Sequence, residues 1–143
     1  MNSVGLFKRL LVIVYDGLLL IGVLFAASLV FLLLPDNFEA TGVGVFLKRA
    51  YLITVSFIFY GWFWTHGGQT LGMRSWGLYL VRPNGKFIGW PTAAIRFCTA
   101  PLSWLPVGMG FAWILIDKQQ RAWHDIFSNT RIAHVPKAER DNR

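Results

Sequence analysis

The amino-acid sequence predicts an all-α membrane protein with two full transmembrane helices and a third apolar region that proline and glycine interrupt. Only 15% of its 143 residues are charged, against about 25% in ordinary soluble domains, and 55% are hydrophobic. The apolar residues are concentrated in three long runs separated by short polar segments. A short cytoplasmic β-hairpin is predicted between the second helix and the third apolar region.

The first apolar run extends from Leu10 to Leu34 and is preceded by Lys8 and Arg9. A helix of this length reaches about 38 Å, which exceeds the roughly 30 Å hydrocarbon core of a bilayer. Positive charge in front of the span predicts a cytoplasmic amino end. An ionised carboxylate in hydrocarbon costs roughly 2.5 to 3.5 kcal/mol, so Asp16 within this run should face protein or water, pair with a cation, or hold a proton.

A second apolar run, from about Val45 to Trp64, follows a polar segment that begins at Pro35 and is expected outside the cell. The run is rich in aromatic residues, and rings clustered at the end of a span are typical of a membrane interface. Lys48 and Arg49 at its start oppose the rule that positive charge stays on the cytoplasmic side. Their long side chains are expected to reach outward to water.

The segment from Thr65 to Arg96 contains four basic residues and no acidic residue, which predicts a cytoplasmic loop. Within it, residues 78–81 and 86–89 flank Pro83-Asn84-Gly85. Asn-Gly is a strong signal for a tight turn between two strands. The sequence therefore predicts a β-hairpin in which these two segments pair.

The third apolar region, from Trp90 to Ile116, allows two courses. A single kinked span would place the carboxyl end outside, whereas two half-helices meeting near residues 105–110 would return the chain to the cytoplasm. The excess of basic residues after Ile116 favours the returning course. The interrupting residues are Pro101, Pro106, Gly108 and Gly110.

The carboxyl segment is predicted to lie on the surface. Residues 117–129 are expected to form an amphipathic segment with Trp123, Ile126 and Phe127 facing inward. Residues 136–143 are expected to form a solvated tail.

The composition argues against several classes of function. The net charge of +7 would suggest nucleic acid for a soluble protein, but here the basic residues flank apolar runs and indicate topology and contact with anionic lipid. The single cysteine, Cys98, excludes an internal disulfide, and no cysteine or histidine cluster has the spacing of metal ligands. No serine or cysteine lies in a recognisable nucleophile motif. We therefore expect no enzyme activity, no cofactor and no metal site.

Three segments are distinctive in their order and spacing: residues 9–16, 68–82 and 120–135. Together they resemble the RDD family of small bacterial membrane proteins, which is named for an arginine at the start of the first helix and two aspartates. Three residues of this sequence match that arginine and the two aspartates. In the motif of the second aspartate, Trp123 stands where the family usually has leucine. The matching residues are Arg9, Asp16 and Asp125, with Asp117 a weaker candidate for the second aspartate.

The resemblance implies one membrane domain over residues 1–135 in the bacterial inner membrane. It also implies a transport-related role, since cation or proton exchange is proposed for some members. A family resemblance does not supply a site, so the chemistry must be argued from the residues themselves.

Two roles are open for Asp16. In a transport cycle its carboxylate would bind either a proton or Na⁺, because both compete for the same oxygen atoms. Three short helices do not easily enclose a route, so this role requires a homo-oligomer or another membrane protein as partner. Alternatively, Asp16 pairs with Arg9 or Arg96 and fixes helix packing without transport, in a structural or regulatory membrane partner.

The pair His124 and Asp125 suggests acid–base chemistry, but adjacent residues on a helix point about 100° apart. We expect instead that Asp125 anchors the carboxyl segment against the basic loop, with Arg74 as its partner. Arg96 is expected to extend towards the membrane interface.

Overall fold

The computed structural model describes residues 2–35, 37–104, 113–118 and 121–134. Helices dominate, and three short strands form one small sheet, so the all-α prediction was incomplete. The elements in chain order are β1 (Asn2–Ser3), α1 (Leu6–Ser28) continued by a 3₁₀ segment (Leu29–Leu33), α2 (Gly42–Thr65), α3 (Leu71–Ser75), β2 (Leu78–Val81), α4 (Trp90–Trp104), a second 3₁₀ segment (Trp113–Leu115), α5 (Trp123–Phe127) and β3 (Arg131–His134).

Two long helices are apolar enough to cross a membrane, as predicted. The first is α1 together with its 3₁₀ continuation, residues Leu6–Leu33 with mean hydropathy 2.5, and the second is α2 with mean hydropathy 1.5. Large apolar side chains on both helices, including Leu18, Phe25 and Ile53, are exposed. Apolar side chains that face away from the protein are what a helix in contact with lipid presents.

The connection between α1 and α2 provides a partner for Lys48, one of the basic residues that oppose the charge rule. The Thr41 hydroxyl accepts a hydrogen bond from the Gly44 amide at 3.0 Å and caps the start of α2. Lys48 in α2 reaches back to form an ion pair with Glu39, and its ammonium lies 5.3 Å from the centre of the Phe31 ring. The Lys48 charge is therefore satisfied at the end of the helix, as snorkelling predicts.

The predicted hairpin is wrong, because β2 pairs with β3 rather than with residues 86–89. The sheet order is β1-β3-β2 with antiparallel pairing, from Leu78 opposite His134 to Val81 opposite Arg131. The other edge of β2 is partly used by Gly68, whose carbonyl accepts a hydrogen bond from the Leu80 amide at 2.6 Å. A tight turn does form at residues 83–85, where Gly85 has φ +81°.

The sheet brings the amino and carboxyl segments together, since β1 pairs with β3. In the third apolar region, α4 includes Pro101 and is described as far as Trp104. Residues 105–112, where the two half-helices were expected to meet, lie outside the described residues, as does the predicted tail at 136–143.

Helix α5 has the opposite orientation to the one predicted from its apolar residues. Ile126 and Phe127 are exposed, at 39% and 60%, whereas His124 and Asp125 are buried. Trp123 is half-buried. The prediction failed because hydrophobicity alone decided which face would turn inward, whereas the Asp125 carboxylate has buried partners in two other helices.

The core lies between the membrane helices and the sheet. Its main cluster joins α1, the end of α2, α3, β2 and α4, and a smaller cluster packs Ile114 and Ala122 against Leu6 and Ile13 of α1. The buried members of the main cluster are Val4, Val12, Trp64, Met73, Leu78, Leu80, Ile88 and Ala93.

Candidate functional site

A fully buried carboxylate, that of Asp125, joins three distant parts of the chain. One oxygen, Oδ2, accepts a hydrogen bond from the Arg9 guanidinium of α1, and the other, Oδ1, accepts one from Arg96 of α4. Oδ2 also accepts a hydrogen bond from the Ala122 amide at 3.0 Å, which satisfies a free donor at the start of α5. Asp125 is therefore bound by two cations and by its own helix terminus.

Neutral groups also contact the two arginines. Arg96 Nη1 donates to Thr130 Oγ1 at 2.8 Å, and its guanidinium lies 5.3 Å from the centre of the Trp64 ring. Arg9 Nε donates to the Val4 carbonyl at 3.2 Å. Both arginines are buried, at 3% and 4% exposure, which corrects the prediction that Arg96 extends to the membrane interface.

Two groups of this network have pKa values below their ordinary ones. Burial alone would raise the pKa of Asp125, but the Arg96 and Arg9 guanidiniums hold it well below its usual range. Burial, and then the charge of Arg96, lower the pKa of His124 from 6.5 to about 3. At neutral pH the network thus contains one carboxylate, two guanidiniums and an uncharged imidazole, whose Nε2 lies 3.5 Å from Asp125 Oδ1.

Asp16 occupies a different environment, at the start of α3. Its Oδ2 accepts a hydrogen bond from the Thr70 hydroxyl, and its Oδ1 accepts one from the Gly72 amide at 2.8 Å. The same Thr70 hydroxyl accepts from the Met73 amide at 3.2 Å and so caps α3. A β-carbon at Gly72 would lie 2.9 Å from Asp16 Oδ1 and 3.0 Å from the Val12 carbonyl oxygen, so glycine allows this close approach.

Two of the predicted pairings are wrong. Arg9 and Asp16 do not bind each other, because seven residues of helix separate them by about 10.5 Å along the axis, and Arg9 turns to Asp125 instead. Arg74 is exposed, and the guanidiniums bound to Asp125 are those of Arg9 and Arg96. Asp117 pairs with Arg121, with Oδ2 3.1 Å from Nε, and so lies apart from the buried network.

Sequence reasoning missed several members of the site. Thr70 precedes α3 as a capping residue, and such a cap is a recognisable signal. Gly72 permits contact with Asp16 because it has no side chain, and a glycine in a polar segment does not by itself indicate such a contact. Thr130 and Trp64 reach Arg96 only through the tertiary fold, and no local pattern would have indicated them.

A cavity of about 820 Å³ connects the two environments. Arg9, Asp16, Arg96 and His124 contribute to its walls, which are otherwise mostly apolar. Among the residues that the structure describes, no group of three or more histidine, cysteine, aspartate or glutamate residues is arranged to hold a metal ion. The remaining lining residues are Val12, Ile13, Tyr60, Trp64, Thr70, Met73, Phe97, Ala100, Pro101 and Ile132.

Comparison with known proteins identifies the family to which the chain belongs. The profile of the RDD family matches residues 3–129, which is most of the chain and includes Arg9, Asp16 and Asp125. No curated protein and no solved structure matches the chain. The family is one of membrane proteins, in agreement with the two long apolar helices. The chain therefore belongs to the RDD family.

Proposed function

We propose that the protein is a subunit of a small-ion transport assembly of the Na⁺/H⁺ type, in which Asp16 binds a proton or a cation. The observation that carries the proposal is the contrast between two buried carboxylates. Asp125 has two guanidinium partners, whereas the hydrogen bonds to Asp16 come from a hydroxyl and a backbone amide. None of the ion pairs among the described residues includes Asp16.

The position of Asp16 supports an exchange role. Its side chain is 3% exposed and contributes to the wall of the cavity. A buried carboxylate without a nearby cation is costly when ionised, so it gains from taking up a proton or a metal cation. Because both occupants use the same oxygen atoms, binding of one would displace the other. Such competition is the elementary step of cation/proton exchange.

For topology, we propose a bacterial inner-membrane protein with its amino end, its sheet and its carboxyl segment in the cytoplasm. Pairing of β1 with β3 supports a common side for the two ends. Basic residues near this end, including Lys8, Arg74 and Arg82, support the cytoplasmic side. A cysteine added after Arg143 in a Cys98→Ser background should resist an impermeant thiol reagent applied to intact cells. Labelling from outside would contradict this topology.

The transport role requires a partner. Two membrane-spanning helices and α4 are too few to enclose a transport route around the cavity. We therefore propose assembly with further copies of the chain or with another membrane protein. Crosslinking in native membranes, read for stoichiometry, distinguishes self-association from heteromeric assembly.

Ion flux in everted membrane vesicles tests the role of Asp16. We expect the parent protein to give a Na⁺-dependent change in the transmembrane pH difference, and Asp16→Asn to lose it, because an amide neither ionises nor exchanges a proton. Asp117→Asn is the matched control, since this carboxylate binds Arg121 away from the cavity. Equal Na⁺-dependent flux in Asp16→Asn and the parent would show that Asp16 takes no part in ion exchange.

A second candidate is a structural or regulatory membrane partner that transports nothing. The buried contacts of Arg9, Asp16 and Asp125 favour it, because each joins separate segments of the fold. On this hypothesis Asp16→Asn would lower thermal stability, and the vesicles would show no Na⁺-dependent flux with either protein. We propose no enzymatic role, since the His124 ring lies beside the Asp125 carboxylate and the nearby Ser128 hydroxyl donates to the backbone carbonyl of His124.

A further inference from the structure

The cavity is much larger than an inorganic ion needs. At about 820 Å³ it lies within the range of roughly 300 to 1,000 Å³ that is typical of small-molecule sites. Such sites combine mainly apolar walls with a few polar groups that orient the ligand. This cavity has the same character, because Val12, Met73, Phe97 and Pro101 line it together with a small number of charged groups.

The charged groups give one end of the cavity a positive character. Arg9 and Arg96 share the single carboxylate of Asp125, which leaves one positive charge in this network. His124 lines the same end and is uncharged at neutral pH. Asp16 is about 10.5 Å further along α1 from Arg9, and both of its oxygens already accept hydrogen bonds.

Arg96 also has an unsatisfied donor. Its Nη1 binds Asp125 and Thr130, but Nε is buried and has no hydrogen-bond partner among the described residues. An unsatisfied buried donor costs free energy that a bound acceptor would recover. Arg96 is 4% exposed and lines the cavity, so an acidic group there would lie beside its positively charged side chain, and a shift of that side chain would be needed to bring Nε to the ligand.

The apolar lining continues from Arg96 along one side of α4. Phe97, Ala100 and Pro101 follow it at one to five residues, which extends the lining by about 7.5 Å along the helix. Val12 and Ile13 of α1 line the cavity as well. The cavity therefore presents a cationic end and an apolar body, which is complementary to a molecule with an acidic head and a hydrocarbon chain.

We infer that the cavity binds a long-chain carboxylate, with its head at Arg96 and its chain along Phe97, Ala100 and Pro101. One chain suits the volume better than a diacyl phospholipid, which would have to fit two chains and a larger head in the same space. The inference stands independently of the proposed ion exchange at Asp16.

Quenching of tryptophan fluorescence by dibromostearate tests the inference on the full-length protein in an uncharged detergent. Trp64 lines the cavity, so bromine atoms on the bound chain should quench it. We expect saturable quenching by the acid, about half or more of which is lost in Trp64→Phe. The methyl ester of the same chain should bind about tenfold more weakly or worse, because it lacks the charge that a guanidinium recognises.

A pair of alanine substitutions separates cavity binding from adsorption to the apolar surface. Ala100→Phe adds a ring to the cavity wall, whereas Ala26→Phe adds the same ring to an exposed site on α1. We expect the first to weaken dibromostearate binding about tenfold or more, by occluding the site, and the second to leave it unchanged. Circular dichroism establishes that each variant is folded, and the comparison of acid with ester in the parent protein decides the matter if Ala100→Phe does not fold.

Three outcomes would overturn the inference. Quenching that does not saturate would mean simple partition into the micelle. Equal quenching by acid and ester would exclude recognition by Arg96. Tighter saturable quenching by a brominated phosphatidylglycerol than by dibromostearate would assign the cavity to a phospholipid. Because the assay uses no ion gradient, a failure here is distinct from loss of flux in the Asp16→Asn vesicles.

Discussion

Arg9 and Asp125 form a buried ion pair although 116 positions separate them in the sequence. Arg96 binds the second oxygen of the same carboxylate, so the start of α1, the body of α4 and the carboxyl segment meet at one point. Two of the three residues that resemble the arginine and aspartates for which the RDD family is named are thus direct partners. Asp16 is held separately, by Thr70 and Gly72.

Removal of the Asp125 charge should be severely destabilising. In Asp125→Asn two buried guanidiniums lose their counter-charge, and breaking a buried ion pair in this way typically costs about 3 to 5 kcal/mol. Urea unfolding in detergent, followed by tryptophan fluorescence, measures the loss. Asp117→Asn is the control, because its pair with Arg121 is partly exposed and should contribute about 1 kcal/mol or less. Equal effects of the two substitutions would contradict a central role for the buried network.

Substitution of Gly72 should disturb the Asp16 site without changing any charge. A β-carbon there would contact Asp16 Oδ1 and the Val12 carbonyl at 2.9 and 3.0 Å, so α1 and α3 must separate slightly. We expect Gly72→Ala to lower the free energy of unfolding by about 1 to 3 kcal/mol in the same urea assay. Gly22→Ala is the matched control, since nothing lies within 4 Å of its added methyl group. An unchanged free energy of unfolding in Gly72→Ala would show that α3 does not pack closely against α1 at this glycine.

His124 should make stability depend on pH in a defined direction. Its pKa is lowered from 6.5 to about 3 in the folded protein. Between these two pH values the His124 ring is therefore uncharged in the folded protein but binds a proton in the unfolded chain. Stability should therefore fall as the pH decreases from 6.5 towards 3, by up to about 1.4 kcal/mol per pH unit. The lowered pKa of Asp125 acts only below its ordinary value of 3.8, where protonation of the unfolded chain begins to remove stability.

Thermal unfolding in detergent between about pH 6 and pH 4 measures this slope. His124→Gln should reduce the slope of stability against pH by the contribution of about one proton, up to about 1.4 kcal/mol per pH unit. His134→Gln, at an exposed position, should leave the slope unchanged. The same slope in the parent and in His124→Gln would mean that other groups control the dependence.

The pairing of β2 with β3 can be tested by disulfide formation. In a Cys98→Ser background, Tyr79→Cys with Ala133→Cys should crosslink on oxidation, because these residues are directly opposed in the sheet. Tyr79→Cys with Ile88→Cys is the control, since it would crosslink in the hairpin expected from the Asn-Gly turn. Crosslinking of the control pair alone would support the predicted hairpin and contradict the pairing of β2 with β3.

The features predicted correctly were those encoded locally. Length and hydropathy sufficed for the two long helices, and Asn84-Gly85 indicated a turn that does form. The strand partner was missed because β3 begins 50 residues after β2 ends, and no local signal encodes that distance. Likewise, Arg9 was one of the two partners considered for Asp16, whereas the tertiary structure pairs Arg9 with Asp125.

The orientation of α5 was missed for a related reason. Hydrophobic patterning predicts that aromatic and aliphatic side chains turn inward, but here the polar face of His124 and Asp125 is buried. A carboxylate that forms hydrogen bonds with two guanidiniums and an amide overrides the usual preference. At a site of this kind, apolar periodicity is a poor guide to which face is hidden.

The central place of β3 in the sheet determines the order in which the protein can be completed during biosynthesis. This strand is among the last described residues to leave the ribosome, yet the first strand of the chain hydrogen-bonds to it. Until translation reaches Asp125, the Arg9 guanidinium lacks the carboxylate that binds it in the complete fold. A nascent chain halted before that point would contain Arg9 and Arg96 without the carboxylate that they share in the complete fold.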